Sequence, residues 1–532
     1  MPLSARPPIS DQFTLTRPAV TGQNGIVACQ HYMAAEAGAA VLEAGGNAMD
    51  AAVTTALAMG VVEPWMSGIG GGGFMLYGEA AAGQVHMIDF GMKSPGALDP
   101  ARYELENGVS GNDALFTWPK VTGDRNQVGA ESIAVPGAVA GLSAALERFG
   151  SGTVSWADAL QPAIALAEKG LPVQWHQTLE IAYSAETLAK FDVSAAIYLP
   201  GGLPAVTPDA HEIAYQPMGG LPRTLHRLAE AGARDFYEGE LAASLVRDLG
   251  EAGSVISMED MAAYQPAIRP AMAVPYRDAT VYLTHGYSGG PTFARALRRI
   301  EETLNPQQGI TAAAYLAWAD ALQEAFSYRL ANLGHAGDMG SPDASTTHLS
   351  VVDRHGNMVA LTNTLLERFG SRLTLPDSGV LMNNGLFWFD PRPGQPNSMA
   401  PGVRPLSNMC PVLGVKDGKP WFALGASGGR RIVPATFQLT SLLVDFGLAL
   451  EDIYRVPRID VSGGPSILAD YRLNPAILEA LAADYDVIQS YDSAGMKEFA
   501  KPQSVMQEGT MQFGMVAPGL APAAAIAAGA AG

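Results

Sequence analysis

Apolar residues follow two spacings along the chain, and the dominant spacing changes near residue 345. Before that point the helical spacing prevails, with short strands at residues 26–29 and 85–90 and a strand, turn and helix over residues 128–149. After it, strand-like alternation prevails. The helices are predicted at residues 34–43, 50–59, 156–169, 222–232, 239–252, 258–264 and 311–332. The later strands are predicted at residues 346–353, 358–364, 379–382, 409–415 and 420–424, before a helix over residues 432–446.

The two ends of the chain and one glycine-rich stretch lack a regular pattern. Residues 1–24 are predicted to be an irregular arm, and the Ala/Gly/Pro-rich residues 517–532 to be disordered. The glycine run at residues 67–73 lacks the Lys-Ser/Thr of a phosphate loop. Close backbone approach in a core strand explains that run better than phosphate binding.

The pair of strands at residues 345–364 is the most informative local prediction. Gly356-Asn357 is a turn signal between two alternating runs. With a five-residue loop at residues 353–357, Val352 faces Met358 and Thr346 lies opposite Thr364. A four-residue loop shifts this register by one place and keeps the two threonines adjacent, so two hydroxyl groups come together in either case.

A threonine hydroxyl is a weak nucleophile that needs a base. A threonine at the start of a chain can use its own α-amine, whose reference pKa is about 7.7–8. An internal Thr346 gains such an amine only if the bond before it is cut. Taken alone, these residues favour a threonine-rich strand with no chemistry, because threonine is common in strands.

Composition narrows the possible partners. The 532 residues carry a net charge of −19, with 48% hydrophobic and 16% charged residues, which is typical of a globular protein. Neither a nucleic acid nor an anionic membrane suits that charge. The two cysteines, Cys29 and Cys410, do not argue for a disulfide. Residues 1–25 lack the apolar core of a secretory signal, so we expect a cytoplasmic protein, or a periplasmic one if the chain was trimmed.

The sequence STTHLSVVD at residues 345–353 resembles the self-cleavage site of the γ-glutamyltransferase (glutathione hydrolase) family of N-terminal-nucleophile hydrolases. GGNAMDAAV and GIGGGGFML resemble the N-terminal motifs of that family. The resemblance implies an α/β (α+β) fold, an αββα four-layer sandwich. It also implies a cut between Ser345 and Thr346 that leaves a large piece, residues 1–345, and a small piece, residues 346–532. The two pieces would form one intertwined domain, a heterodimer from one precursor.

Further motifs, in order, resemble the rest of the family's active site. Thr364 matches a second threonine that hydrogen-bonds the nucleophile. PLSNM at residues 405–409 resembles a motif whose two serines contact the acyl group, with Ser407 matching and Asn408 departing. GASGG at residues 425–429 resembles a turn whose amides form an oxyanion hole, which assigns that role to Gly428 and Gly429.

Three other positions depart from the family's γ-glutamyl site. Gly91 stands where an arginine holds the substrate carboxylate, Trp388 where an aspartate holds the ammonium, and Leu366 where an asparagine contacts the substrate. Losing partners for both charges weakens recognition of a γ-glutamyl group. Residues 389–405 resemble the acylase and amidohydrolase relatives more than the glutathione enzymes.

The expected function is therefore cleavage of an amide through an acyl-enzyme on Thr346, with hydrolysis preferred to transfer. The acyl group is γ-glutamyl or related; alternatives are a glutaryl or cephalosporin side chain and a small oxamate-like amide. Arg430 could meet an anionic substrate or cap the oxyanion turn. No cofactor or metal is implied, since the nine histidines show no ligand spacing. The rival from another class is a non-cleaving relative that binds a ligand.

Overall fold

The computed structural model describes residues 15–110, 118–208, 212–336, 345–490 and 499–529, with Ser345 and Thr346 described by their backbone alone. In this part of the chain the strands are β1 Val20–Gly22, β2 Gly25–Cys29, β3 Gly72–Glu79, β4 Gln84–Phe90, β5 Leu105–Val109, β6 Pro119–Val121, β7 Leu171–Val173, β8 Ala214–Gln216, β9 Ala267–Pro270, β10 Met272–Tyr276, β11 Ala279–Leu283, β12 Ser345–Asp353, β13 Met358–Leu366, β14 Val412–Lys416, β15 Lys419–Ser427, β16 Ile459–Asp460, β17 Ser466–Asp470, β18 Asp486–Ser490, β19 Lys501–Glu508, β20 Met511–Val516 and β21 Ala524–Ala527.

The α-helices of the same residues are α1 Tyr32–Glu43, α2 Ala48–Val62, α3 Ala138–Phe149, α4 Trp156–Lys169, α5 Trp175–Leu188, α6 Asp192–Tyr198, α7 Leu221–Ala231, α8 Asp235–Glu238, α9 Glu240–Glu251, α10 Met258–Ala262, α11 Gly290–Thr303, α12 Ala312–Asn332, α13 Ile432–Val444, α14 Leu450–Ile453 and α15 Pro475–Asp484. Among the described residues, no helix is both long enough and apolar enough to cross a bilayer.

Two antiparallel sheets of seven strands form the centre of the molecule. The first sheet has the strand order β21-β2-β12-β13-β3-β4-β9, and the second has the order β1-β20-β19-β15-β14-β11-β10. Strands β12 and β13 therefore lie in the middle of the first sheet. Strand β12 packs face to face against β15 and β19 of the second sheet.

The alternation of side chains along each strand produces four layers. In β12, Val351 joins the apolar cluster that also contains the side chains of α1 and α2. The next residue, Val352, joins the cluster between the sheets together with Leu413 of β14. On the outer face of the second sheet, Leu424 packs into a third cluster with α11, α12 and α13. Helices, sheet, sheet and helices form the predicted αββα sandwich, so the fold class is confirmed.

The region before residue 330 contains strands and helices that the sequence analysis did not predict. Residues 267–283 form β9, β10 and β11 at the edges of the two sheets, because short alternating runs there were hidden by prolines. The Ser-Gly-Gly-Pro break at residues 288–291 is a helix start, since Pro291 occupies the first turn of α11. Residues 128–137 hold a single turn and one bridge, Lys93 to Val135, in place of the predicted strand.

Two predictions for the second half of the chain were wrong. Residues 379–382 make one isolated bridge, Thr374 to Leu381, and no strand. The Ala-rich tail forms β21, in which Ala527 pairs with Ile26 of β2. Small residues suit this edge strand, and its order comes from the hydrogen-bonding edge of β2 and not from its composition. Residues 530–532 lie outside the described part, as do residues 1–14.

Candidate active site

The hairpin of β12 and β13 has the predicted five-residue loop. Val352 pairs with Met358, as predicted. Asp353 closes the loop, because its Oδ1 accepts the backbone N–H groups of His355 and Asn357 at 2.8 and 3.0 Å. The loop chemistry thus fixes the register from the Val352–Met358 pair to the Thr347–Asn363 pair.

A bulge interrupts that register beside Thr346. Thr347 pairs with Asn363, whereas Ser345 pairs with Leu366, so Thr346 faces both Thr364 and Leu365. The irregularity gives β13 one extra residue at this point, which bends the strand. Thr346 and Thr364 are brought together, with a kink that the sequence did not predict.

Thr364 is fully buried at the end of β13. Its Oγ1 accepts the backbone N–H of Leu366 at 2.8 Å. Leu366 has a φ of +87°, a left-handed conformation that is costly for a leucine. The Thr364 carbonyl lies so close to Gly71 that a Cβ at residue 71 would clash with it. The glycine run therefore provides close backbone approach, as predicted.

Gly428 and Gly429 lie at the junction between β15 and a helical segment. Gly428 has a φ of +137° and Gly429 a φ of +63°, and the chain then enters a short 3-10 turn that continues into α13. The first N–H groups of a helix have no partner within the helix, so amides at this position can stabilise negative charge. A Cβ at Gly428 would lie 2.8 Å from Ala500 Cα, which excludes larger residues.

Two contacts place this junction at the Thr346 end of β12. The His348 ring packs directly on Gly425 of β15, leaving no room for a Cβ there. Gln30, which directly follows β2, donates its side-chain amide to the Ser427 hydroxyl. Thr346 precedes His348 by two residues and Gly428 follows Gly425 by three, so both lie at the same edge of the sandwich.

His348 is a buried sheet residue whose two ring nitrogens both have hydroxyl partners. Its Nδ1 contacts Thr362 Oγ1 at 2.9 Å and its Nε2 contacts Ser350 Oγ at 3.0 Å. Complete burial lowers the pKa of His348 to about 3, because a charged ring would lose its hydration. The ring is therefore neutral at ordinary pH.

A buried carboxylate beside the nucleophile was missed by the sequence analysis. Thr347 Oγ1 donates to Glu63 Oε2 at 2.9 Å, and both residues are only 1% exposed. Glu63 caps the C-terminal end of α2, a helix with almost no other charge. A single acid that ends an apolar helix just before Pro64 was the available signal.

Ser407 and Asn408 are both buried. Ser407 Oγ accepts the backbone N–H of Met409 at 3.1 Å. Asn408 Oδ1 accepts a hydrogen bond from Arg329, whereas its Nδ2 has no partner among the described residues. The side-chain oxygen of Asn408 is thus bonded to Arg329 of α12. Its side-chain NH2 group is the part able to contact a substrate.

Leu366 and Trp388 belong to the apolar cluster between the two sheets. Trp388 is 1% exposed, and its Nε1 has no hydrogen-bond partner among the described residues. The family's ammonium-binding position therefore holds an apolar ring with one unused donor.

Position 91 has an alternative source of positive charge that the sequence analysis missed. Gly91 N–H donates to Asp89 Oδ1 at 3.0 Å, and Arg404 Nη1 pairs with the same oxygen at 2.5 Å. Tyr264 donates its hydroxyl to the Gly91 carbonyl at 2.7 Å and also lies against the Arg404 guanidinium. A cation thus lies beside the residue where the family's arginine is absent.

Arg430 lies at the start of the helical segment and is 7% exposed. Its Nη1 donates to the Ser462 carbonyl at 3.4 Å, and Arg431 lies 3.8 Å from Asp460. Burial raises the pKa of Asp460, and the charge of Arg431 opposes that rise. These contacts connect both arginines to β16 and the residues that follow it.

The two cysteines are free buried thiols, and burial raises the pKa of each to about 12. Within the described ranges, no group of three or more His, Cys, Asp or Glu side chains could hold a metal ion.

The chain is similar to known proteins over most of its length. The sequence model of one family, described as Gamma-glutamyltranspeptidase, matches residues 34–344 and 335–518. The chain is 33% identical over 525 residues to the Acylase ACY 1 proenzyme of Pseudomonas sp. (strain V22), covering 92% of this chain and 91% of the relative. It is 30% identical over 489 residues to the glutathione hydrolase proenzyme of Escherichia coli (strain K12), covering 82% and 81%. A cephalosporin acylase from Bacillus halodurans shares the fold, with a TM-score of 0.84 at 24% identity over 98% of this chain and 99% of that one.

Proposed function

The chain belongs to the gamma-glutamyltranspeptidase family, and from that premise we propose that it is a self-processing threonine amidohydrolase. The Thr346 hydroxyl attacks the Ser345 carbonyl and the peptide bond becomes an ester. Water then hydrolyses the ester, which releases the Ser345 carboxylate and the Thr346 α-amine. Residues 1–345 and 346–532 stay together, because β12 and β13 of the small piece lie between β2 and β3 of the large one.

In turnover, the free α-amine accepts the proton of the Thr346 hydroxyl as the oxygen attacks the substrate amide. The Gly428 and Gly429 amides stabilise the oxyanion, and the amine product leaves with a proton. Water attacks the resulting ester, releases the acid and restores Thr346. Thr364 holds the nucleophile in position for both stages.

One observation carries this proposal. The start of β12, the end of β13 and the end of β15 meet at one edge of the sandwich, although they are far apart in sequence. A nucleophile, a second hydroxyl and a glycine turn at a helix start are the parts that acyl transfer needs.

The site favours an acyl group that carries a negative charge but no ammonium. Trp388 and Leu366 offer no partner to an ammonium. Arg404 offers a cation beside Gly91, and its side chain is 17% exposed although it pairs with Asp89. Glutaryl-type amides therefore fit better than γ-glutamyl amides. The Acylase ACY 1 relative, at 33% identity, supports an acylase activity.

A denaturing gel and a substrate panel test this function. Purified protein should separate into two pieces, whereas Thr346→Ala should give one inactive piece. Thr346→Ser, which keeps a hydroxyl, is the matched control and should still divide. An undivided wild-type chain would favour the ligand-binding relative instead. Turnover of glutaryl-p-nitroanilide should exceed that of γ-glutamyl-p-nitroanilide; the reverse order would refute the substrate assignment.

A further inference from the structure

Glu63 is a buried charge that the reaction described above does not use. It is 1% exposed and lies directly after α2, whose residues are nearly all buried. Its backbone is fixed by hydrogen bonds from its own N–H to the Met59 carbonyl at 2.8 Å and from the Met66 N–H to its carbonyl at 3.1 Å. A buried carboxylate is costly unless it is paired, so its position calls for an explanation.

Its partner is the residue next to the nucleophile. Thr347 Oγ1 donates to Glu63 Oε2 at 2.9 Å. Thr347 is also the first residue of β12 in regular register with β13 after the bulge. Once the chain is cut, Thr346 is held on one side only, through Thr347. Fixing Thr347 therefore limits the motion of the terminal residue.

The charge of Glu63 reaches the neighbouring strand as well. Burial is the main cause that raises the pKa of Cys29 to about 12, and the Glu63 charge adds to the rise. Cys29 pairs with Leu349 of β12, two residues beyond Thr347. The Glu63 charge therefore lies close to the Cys29–Leu349 pair, near the start of β12.

We propose that Glu63 is a positioning residue for the N-terminal nucleophile. This inference rests on the proposed function. The bond to Thr347 orients the residue that carries Thr346, and the negative charge stabilises the α-ammonium that self-cleavage creates. An adjacent carboxylate raises the pKa of an amine. The loss of activity at low pH, called the acid limb of the pH–rate profile, should therefore occur at a higher pH with Glu63 than without it.

The described ionisable groups on the elements near this end of α2 include neutral and paired side chains. Cys29 is an uncharged thiol, and His348 is a neutral ring. Burial lowers the pKa of His31, before α1, to about 4. On α5, Glu180 pairs with Arg368 at 2.6 Å and lies 3.4 Å from His176. Glu367, after β13, pairs with Arg372 at 2.9 Å.

Two substitutions separate the charge from the hydrogen bond. Glu63→Gln keeps the shape and removes the charge, whereas Thr347→Val removes the bond and keeps the charge. In Glu63→Gln we expect the acid limb of kcat/KM to move down by about 0.5–1 pH unit, because the carboxylate no longer stabilises the α-ammonium. In Thr347→Val we expect self-cleavage and kcat both to fall ~10-fold with the acid limb near its wild-type position.

The readouts are a cleavage time course on a gel, N-terminal sequencing and pH–rate profiles of the divided protein. A Glu63→Gln enzyme with an unmoved acid limb would overturn the proposal. If Glu63→Gln does not fold, Thr347→Val decides, since wild-type cleavage and kcat in that variant would also overturn it. If the wild-type chain divides at Thr346 and both variants show wild-type cleavage, kcat and acid limb, only the role of Glu63 is refuted. If the wild-type chain never divides, the proposed function is refuted.

Discussion

Replacing Thr364 by valine tests the second hydroxyl of the site. Valine keeps the shape of threonine but cannot accept the Leu366 N–H, which is bonded at 2.8 Å. Leaving a buried N–H unpaired costs about 1–3 kcal/mol. Leu366 already has a φ of +87°, so its conformation depends on that bond. We expect the free energy of unfolding to fall by about 2 kcal/mol.

The chemistry should suffer more than the fold. Without the Thr364 hydroxyl, Thr346 loses the group that holds it, and we expect self-cleavage and turnover to fall by on the order of 10²-fold. Thr364→Ser keeps the hydroxyl and should retain both.

The matched control is Thr362→Val, two residues earlier in β13. Thr362 is also fully buried, and its Oγ1 bonds His348 Nδ1 at 2.9 Å. It should lose a similar amount of stability but still divide. Urea unfolding, a gel time course and the rate on a chromogenic amide measure the three quantities. If Thr362→Val and Thr364→Val lose activity equally, the special role of Thr364 is refuted.

Three further changes test other parts of the site. Gly428→Ala forces a φ of +137° on an alanine and a Cβ 2.8 Å from Ala500, so turnover should fall at least ~100-fold, measured on the divided protein. His348 has a folded pKa of about 3, below its unfolded value near 6.5. Only the unfolded state gains that proton between these pH values, so the free energy of unfolding should fall as pH drops from 6.5 towards 3. In His348→Gln, urea unfolding at several pH values should show a smaller slope of that free energy against pH. An unchanged slope would contradict the burial argument. Arg404→Gln should lower kcat/KM at least ~10-fold for glutaryl amides and little for neutral acyl amides, while an equal loss for both would indicate only a structural bond to Asp89.

Local chemistry made part of this molecule predictable. The Asp353–Asn357 loop is determined by its own residues, so the register Val352 to Met358 followed from the sequence. The bulge at Thr346 did not follow from the sequence: β13 has an extra residue there, and the Thr364 carbonyl lies against Gly71. Short-range turn signals carry no information about such contacts.

The missed site residues all act across long separations. Glu63 and Thr347 are 284 residues apart, and their hydrogen bond depends on how α2 packs on the first sheet. Arg404 reaches Asp89 from a different segment in the same way. The tail strand β21 is ordered by the free edge of β2, which no composition argument reveals.

The central claim is that Thr346 becomes the first residue of a chain by self-cleavage. N-terminal sequencing of the purified protein, with intact masses of its pieces, tests it most directly. The account predicts two pieces, one of which starts with Thr-Thr-His-Leu-Ser, and a single piece in Thr346→Ala. An active enzyme that consists of one uncut chain, or a small piece that starts at another residue, would contradict it.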